Sequence, residues 1–341
     1  MKTAAVLGAS GYGGGELIRF LDGHPEFRVD VLTAYANVDV PLSAVHPQLG
    51  GGDRVLTAFD PDACDVDVAF LAMPHGASAE PAMTLLERGI PVVDLGSDFR
   101  LDTPERYLAA YGTQHPFPDQ LGAWVYGLPE LNADAITASD RVAAPGCYPT
   151  SVIVPLAPLL ADGLVEPTGI IADSMSGVSG AGRATTEGLR FGAIDESVKA
   201  YKVFEHRHQP EIRQVLGGVA GADVAVVFTP HLVPMQRGIL STIHATVTPG
   251  TTLADVEASF DTFAEKQPFV TRSTVPPETR WLVGSNNLMA SFHLDADSDH
   301  LIVLAAIDNL VKGAAGQGVQ CANLMFGFDQ ATGLPTDGWM P

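Results

Sequence analysis

Val6-Leu7-Gly8-Ala9-Ser10-Gly11-Tyr12-Gly13-Gly14-Gly15-Glu16 is the stretch that decides the fold. An apolar run over residues 4–7 stops at Gly8, glycines recur at Gly11 and Gly14, and residues 15–21 read as a helix. Glycines in that setting permit a tight strand-to-helix turn and let backbone N–H groups approach a pyrophosphate, with the positive end of the helix behind them. The same run would suit a merely compact turn; the strand before it and the helix after it favour the dinucleotide reading. Strand-like runs at 28–33, 66–73 and 91–95, with a helix at 78–88, predict βαβ units and a parallel, doubly wound sheet. The second strand ends in Leu32-Thr33-Ala34-Tyr35-Ala36-Asn37, with no acid before Asp39. A carboxylate there would serve the ribose of NAD and repel a 2′-phosphate, so the neutral end favours NADP, although no Arg stands beside it.

From about residue 147 the pattern changes. A helix over 151–161 leads into strand-like runs at 169–174, 223–228, 239–247 and 300–307, with helical stretches near 210–216, 253–266 and 309–323. Several strands with few helices between them predict an α+β domain with a largely antiparallel sheet. The expected fold class is α/β, a Rossmann-like NADP-binding domain followed by that α+β domain. Ala144-Pro145-Gly146 reads as the boundary, giving 1–146 and 147–308, with 309–341 returning to the first domain.

The chain has 341 residues, enough for two domains, and 46% are hydrophobic against 17% charged, so sizeable cores are available. Disorder needs the opposite balance. The 19 Lys+Arg against 40 Asp+Glu give a formal charge of -21, a field that repels phosphate backbones and anionic lipid headgroups. Nucleic acid and membrane surfaces are excluded as partners on that ground. No run reaches the roughly 18 apolar residues of a membrane span, and Met1-Lys2-Thr3 leads into a strand instead of a signal peptide's apolar core. Cys64, Cys147 and Cys321 stand far apart with no CxxC pair, so the reading is reduced thiols in a cytoplasmic protein.

Ala144-Pro145-Gly146-Cys147-Tyr148-Pro149-Thr150-Ser151 precedes an apolar run at 152–160. Pro149 suits a first helical turn. Cys147 then sits just before a helix N-terminus, whose positive end favours thiolate and lowers the thiol pKa from about 8.5. N–H groups there can also hold an oxyanion formed by attack on a carbonyl. Cys147 is the candidate nucleophile, whereas Cys64 and Cys321, beside or within apolar segments, read as buried small hydrophobes. Glu205-His206-Arg207-His208-Gln209-Pro210-Glu211 is the dense histidine cluster. No third His or Cys lies at zinc-like spacing, so no metal is expected. With a reactive cysteine elsewhere, an imidazole of near-neutral pKa can take the thiol proton and later return one. His208, just before a helix starting near Pro210, is the candidate acid/base; Glu211 can orient it, and His206 is a substrate or structural residue. A polar surface turn is the plainer alternative. The other histidines read as bland, except that His75 in Pro74-His75-Gly76 follows a strand end and can line a cofactor cleft.

Motifs spanning nearly the whole chain carry a resemblance: GASGYGG at 8–14, HPQL at 46–49, DLGSDFRL at 94–101, APGCYPT at 144–150, SGVSGAGR at 176–183, HRHQPEI at 206–212, TPHLVPMQRGIL at 229–240 and DNLVKGAAGQGVQCAN at 308–323. Together they resemble the N-acetyl-gamma-glutamyl-phosphate reductases (N-acetylglutamate semialdehyde dehydrogenases), relatives of aspartate semialdehyde dehydrogenase. The resemblance implies reduction of N-acetyl-gamma-glutamyl phosphate by NADPH through a thioester on Cys147, with His208 as acid/base, in arginine biosynthesis. It implies that Gly8, Ser10, Gly11, Tyr12 and Gly13 form the cofactor turn, and that Ser176, Gly177 and Asn309 lie on the nicotinamide side. It also implies a homo-oligomer, dimer or tetramer, with the second domain both catalytic and oligomerising. One departure is Gly96, where the family pattern has Ser at 96 and a small residue at 97.

An acyl phosphate needs cationic clamps, for which Arg offers a planar fork. Arg100, Arg183, Arg207 and Arg237 are the candidates, the first two favoured by their turn-like settings; His206 and Glu211 complete the expected substrate side. Rival readings are a reductase of another acyl phosphate (aspartyl, or carrier-linked aminoadipyl), a non-catalytic NADP-binding sensor, and, last, a metal-dependent hydrolase on the His-x-His pair. The acid excess is expected on the outer surface, because such a field is screened beyond about 8–10 Å and leaves local anion sites intact.

Overall fold

A computed structural model of the chain describes every residue except Gly51, Asp53, Thr185, Met340 and Pro341. The chain forms two compact units. One holds Met1–Pro145 and Ala314–Leu334; the other holds Gly146–Gly313 and the tail from Pro335. The returning segment is therefore shorter than the expected 309–341, since Asn309 and the tail belong to the second unit.

The first unit is built on six strands: β1 (Lys2–Leu7), β2 (Phe27–Thr33), β3 (Val68–Leu71), β4 (Val92–Asp94), β5 (Val125–Tyr126) and β6 (Arg141–Ala143). They are ordered β2-β1-β3-β4-β6-β5, with every pairing parallel. Parallel strands covered on both faces require unbroken apolar runs, and residues 4–7 and 68–71 are all fully buried. Helices α1 (Tyr12–Asp22), α2 (Leu42–Val45), α3 (Ala79–Glu87), α4 (Pro104–Tyr111) and α5 (Pro129–Thr137) complete it. The returning helix, Gly316–Met325, packs on α1, α5 and β4. His24, read as a bland loop residue, is a buried staple for that return. Its Nε2 lies 2.9 Å from the Thr332 carbonyl and 3.0 Å from Asn323 Oδ1, while Nδ1 accepts the Glu26 and Phe27 N–H groups.

The second unit carries a seven-stranded mixed sheet. Its strands are β7 (Ile170–Ser176), β8 (Lys199–Ala200), β9 (Val226–Leu232), β10 (Ile239–Thr246), β11 (Val270–Arg272), β12 (Leu288–Asp295) and β13 (His300–Ile307), ordered β11-β12-β13-β10-β7-β9-β8. Only β7/β9 and β11/β12 pair in parallel. Its helices are α6 (Cys147–Ala161), α7 (Phe191–Ile194), α8 (His208–Ala220) and α9 (Leu253–Ala264). Every residue from Tyr148 to Leu160 is buried, as a helix apolar all round must be. Beneath α6 three fully buried hydroxyls satisfy one another, Ser151 to Ser241 at 2.8 Å and Ser241 to Ser174 at 2.6 Å. Ser174 thus points toward α6, and its alternating neighbours Ile171 and Met175 are exposed on the opposite face of the sheet.

At the end of β4, the DLGSDFR stretch folds around two buried carboxylates. Ser78 Oγ has one hydrogen and two acceptors within reach, Asp94 Oδ2 at 2.8 Å and Asp98 Oδ2 at 3.0 Å. Burial, then the charge on Asp98, pushes the Asp94 carboxyl up to about 7. Burial would raise Asp98 too, but hydrogen bonds from His75, Gly76 and Ser78 outweigh it and hold that carboxyl at about 2. This packing explains the departure at Gly96: a Cβ there would stand 2.7 Å from Ser78 Oγ and 2.8 Å from Asp94 Oδ1. The hydroxyl moves one position on, where Ser97 Oγ lies 2.8 Å from His75 Nδ1. An acid with a raised folded-state pKa binds its proton more tightly when folded, so its contribution is present below about pH 4 and lost as pH rises through about 7. Asp98, ionised in both states over that range, adds no slope. Asp94→Asn should therefore gain melting temperature relative to the wild type as pH is raised from 4.5 to 7.5. A gap that stays constant across thermal melts in that range would refute the burial-raised Asp94.

Candidate active site

Cys147 is the first residue of α6, with Gly146 as its N-cap. The helix begins on the cysteine instead of after it. His208 is likewise the first residue of α8, with Arg207 in the N-cap position but making no capping bond from its side chain. Two contacts join these helix starts. Glu211, in the first turn of α8 and 1% exposed, accepts the Gly146 N–H on Oε1 at 2.8 Å. The His208 ring lies directly on Gly146: a Cβ at that position would stand 2.8 Å from both Cδ2 and Cε1 of the imidazole. From another side the backbone of Gly313 presses on Cys147, since a Cβ there would be 2.7 Å from Cys147 Cβ and 3.1 Å from its Cα. The thiol-bearing residue, partly buried, is thus held between two positions where no side chain fits.

The two histidines of the cluster take different posts. His206 Nδ1 accepts the His208 N–H at 3.2 Å, so it satisfies one of the N–H groups a helix start leaves open. Burial, then the positive charges of Arg207 and Lys202, pulls the His206 imidazole down to about 4, which keeps it a neutral acceptor at neutral pH. His208, buried and stacked edge-on to His206 with ring centres 4.7 Å apart, is the one that meets Gly146. Tyr148, next to Cys147, completes the aromatic wall with Phe228 at 5.2 Å, and its hydroxyl lies 3.2 Å from that of Tyr201. Burial raises both phenols, Tyr201 to about 12 and Tyr148 further, so both remain neutral donors.

The remaining expected residues fall into groups within one unit or the other. In the second unit, Asn309 Oδ1 accepts the Gly238 N–H at 2.7 Å and its Nδ2 donates to Ser179 Oγ at 3.0 Å. Gly177 lies so close to the 236–237 backbone that a Cβ would be 2.7 Å from the Gln236 carbonyl. Ser176, Gly177 and Asn309 therefore belong to one tight loop cluster. Arg183 and Arg207 are exposed in the same unit. Arg100 is in the first unit and buried, with Nε donating to the Ala144 carbonyl and Nη2 to that of Leu95, both at 2.8 Å. Those bonds make it a strut between the ends of β4 and β6, a post its turn-like sequence setting did not reveal.

The glycine turn is tight and closely packed. Gly8 takes φ +86° beneath the Ala72–Met73 backbone, and the Gly8 and Ala9 N–H groups bond the Thr33 carbonyl. A Cβ on Gly14 would stand 2.8 Å from Ala9 Cα, so α1 seats directly on the turn. Ser10, Gly11 and Tyr12 lie at the surface at the start of α1. His46 was passed over in the sequence, yet it is 1% exposed, its Nε2 donates to the Ala9 carbonyl at 2.9 Å, and its ring fills the space a side chain at Gly15 would need. Its Pro-flanked position gave no sign of that contact.

A parallel-sheet nucleotide domain, followed by a mixed-sheet domain that opens on a cysteine beside a histidine, is the build of the semialdehyde dehydrogenases. Residues 3–139 match the semialdehyde dehydrogenase NAD binding domain and residues 147–309 the semialdehyde dehydrogenase dimerisation domain. The chain is 46% identical to the N-acetyl-gamma-glutamyl-phosphate reductase of Frankia casuarinae, covering 99% of each, and 42% identical to that of Moorella thermoacetica over the whole of both chains. It belongs to the semialdehyde dehydrogenase family, on the N-acetyl-gamma-glutamyl-phosphate reductase branch. Among solved structures, aspartate semialdehyde dehydrogenase II of Vibrio cholerae shares the fold, with a TM-score of 0.73 at 18% identity over 96% of this chain and 98% of that one. Aspartate semialdehyde dehydrogenase of Candida albicans with NADP gives 0.68 at 17% identity, over 96% and 99%. Among the described residues no group of three or more His, Cys, Asp or Glu could hold a metal ion, and no helix is long and apolar enough to cross a membrane.

Gly146→Ala keeps an ordinary backbone conformation, φ −68° and ψ 156°, so its effect is steric. The added methyl must displace His208, and a misplacement of about 1 Å can cost on the order of 100-fold in rate. Steady-state kinetics at a temperature where the variant is folded should show kcat falling by about that much, alongside the lower melting temperature that overpacking brings; a variant within about twofold of wild type in kcat would mean His208 is not held by this contact.

Proposed function

We propose that this chain reduces N-acetyl-gamma-glutamyl phosphate to N-acetylglutamate 5-semialdehyde and phosphate with NADPH, in the cytoplasm, as a step of arginine biosynthesis. The observation that carries the reading is the junction of α6 and α8, which sets a partly buried cysteine and a buried histidine at adjoining helix starts. Close relatives named for that reaction support the substrate.

The first unit fits a dinucleotide. Gly8, Ser10, Gly11, Tyr12 and Gly13 would hold it at the start of α1, with Gly8 shaping the turn through its bond to Thr33 and the helix dipole favouring phosphate. Ser176, Gly177 and Asn309 are the residues proposed for its nicotinamide end. When bound, NADPH supplies the hydride that takes a thioester to the oxidation level of the aldehyde.

The chain's own residues do the rest. His208 accepts the Cys147 thiol proton, and the sulfur attacks the γ-carbonyl carbon. The C–S bond forms, the bond from carbon to the phosphate oxygen breaks, and phosphate departs, leaving a thioester that divides one difficult exchange into two accessible ones. N–H groups at the start of α6 hold the oxyanion. After reduction the C–S bond breaks and His208 returns a proton to the departing sulfur. His206 caps α8 and stays neutral, Glu211 holds Gly146, and the exposed Arg183 and Arg207 meet the anionic groups of the substrate. The exposed Ile171 and Met175 on the open face of the second sheet, in the region matching a dimerisation domain, support a homo-oligomer.

The decisive assay is NADP- and phosphate-dependent oxidation of N-acetylglutamate semialdehyde. Cys147→Ser should lose at least about 1,000-fold and His208→Ala about 100-fold. His206→Ala should lose stability more than turnover. Near-normal turnover in Cys147→Ser would end the thioester mechanism, and faster turnover of aspartate or aminoadipate semialdehyde in a substrate panel would reassign the substrate.

A further inference from the structure

We propose that Trp339, acting through Arg237 and Asp308, is a positioning residue for the nucleophile. The C-terminal tail thereby sets how the 310–313 segment bears on Cys147. The inference rests on the reading of Cys147 as the reacting group.

The hub is Asp308, fully buried at the end of β13. A carboxylate removed from water must be matched on both oxygens. Oδ1 accepts the Leu310 N–H at 2.8 Å and the Val311 N–H at 3.3 Å, which turns the chain out of β13 into the following helix. Oδ2 accepts the Gly284 N–H at 2.7 Å and Arg237 Nη1 at 3.2 Å. The Asp308 carbonyl takes the Gly313 N–H at 3.0 Å. Asp308 therefore shapes the whole stretch that carries Gly313 against Cys147. That stretch, Val311–Ala315, is a single π-helical turn, a wound-out geometry that recurs at functional sites.

The indole of Trp339 touches both groups that hold Oδ2. The Arg237 guanidinium carbon lies 5.4 Å from the centre of its ring, within cation–π range. Gly284, at φ +85°, has its remaining space taken by the same ring: a Cβ there would be 2.7 Å from Trp339 Cδ1. The tail reaches this place under constraint, with the Asn286 N–H on the Pro335 carbonyl, the Trp339 N–H on the Val283 carbonyl at 2.8 Å, and Gly338 packed on the Trp281 carbonyl. The path from Trp339 to Cys147 consists of one ring contact, one buried carboxylate and one backbone contact without slack. Close-packed contacts of that kind transmit displacement instead of absorbing it.

Trp339 is 53% exposed, so truncating it removes little from the core and leaves a folded protein to measure. The experiment compares wild type, Trp339→Ala and Trp339→Phe in kcat, KM, NADPH affinity, melting temperature and the rate at which iodoacetamide alkylates Cys147, read by mass spectrometry. Trp339→Ala should lower kcat about tenfold and change the Cys147 alkylation rate severalfold, while KM and NADPH affinity stay within about twofold; Trp339→Phe, which keeps a ring for Arg237, should recover most of both. Equal losses in the Ala and Phe variants, or an Ala variant within about twofold of wild type in kcat and alkylation, would overturn the proposal. So would a kcat loss that merely follows a lower melting temperature with alkylation unchanged. The alkylation readout does not require turnover, so it judges the tail even if Cys147→Ser proves active and the thioester reading falls.

Discussion

The hydrogen bond from the Gly146 N–H to Glu211 Oε1, 2.8 Å long and shut away from water, ties the first turn of α6 to the first turn of α8. A buried carboxylate at a helix start is stabilised by the N–H groups and dipole there, and here it serves the starts of two helices together. Because the bond fixes Gly146 at van der Waals distance from the His208 ring, the residue before the cysteine can carry no side chain. Pro-Gly-Cys and His-x-x-Glu are therefore parts of one object, although about sixty positions separate them in the chain. Tyr148 packs edge-on against His206 and Phe228 beside the pair, and the bond from the His208 N–H occupies Nδ1 of His206.

The strong negative charge of the chain coexists with these sites because so little of it is inside. Among the described residues the buried acids are Glu16, Asp94, Asp98, Glu130, Glu211 and Asp308. Several of them are bound into local architecture: Asp94 and Asp98 around Ser78, Glu211 on Gly146, Asp308 on Arg237 and three backbone N–H groups. The other acids among the described residues lie at partly or fully exposed positions, where screening confines their reach to about 8–10 Å.

Local signals were legible in the sequence and contacts between distant segments were not. The strand–glycine–helix pattern at residues 4–21 and the cysteine box announced themselves, since each is a short run whose chemistry is complete within a dozen residues. β12 was not read as a strand although Leu288, Ala290, Phe292 and Leu294 alternate with Ser291, His293 and Asp295; its place in the sheet comes from antiparallel pairing with β13. The short β5 and β6 gave no periodicity to read. His46 under Gly15, Gly313 against Cys147 and Asp308 at the hub depend on partners far away in the chain, for which a single sequence carries no signal. Arg100 is a related case: its turn-like setting suggested a clamp for the substrate and gave no sign of the two main-chain carbonyls that its Nε and Nη2 bond.

The first unit is made from two separated pieces of chain, and His24 marks the seam, holding Asn323 and Thr332 from the opposite end of the sequence. A ribosome releases the five parallel-pairing βα elements long before it makes the Gly316–Met325 helix that covers α1, α5 and β4. Domains generally fold as units in the order of synthesis. Here that order is inverted: the nucleotide domain starts first, yet its apolar flank stays bare until the Gly146–Gly313 body has emerged. During that interval the nascent chain leaves uncovered the apolar surface that Gly316–Met325 later packs on, and transient exposure of that kind favours aggregation.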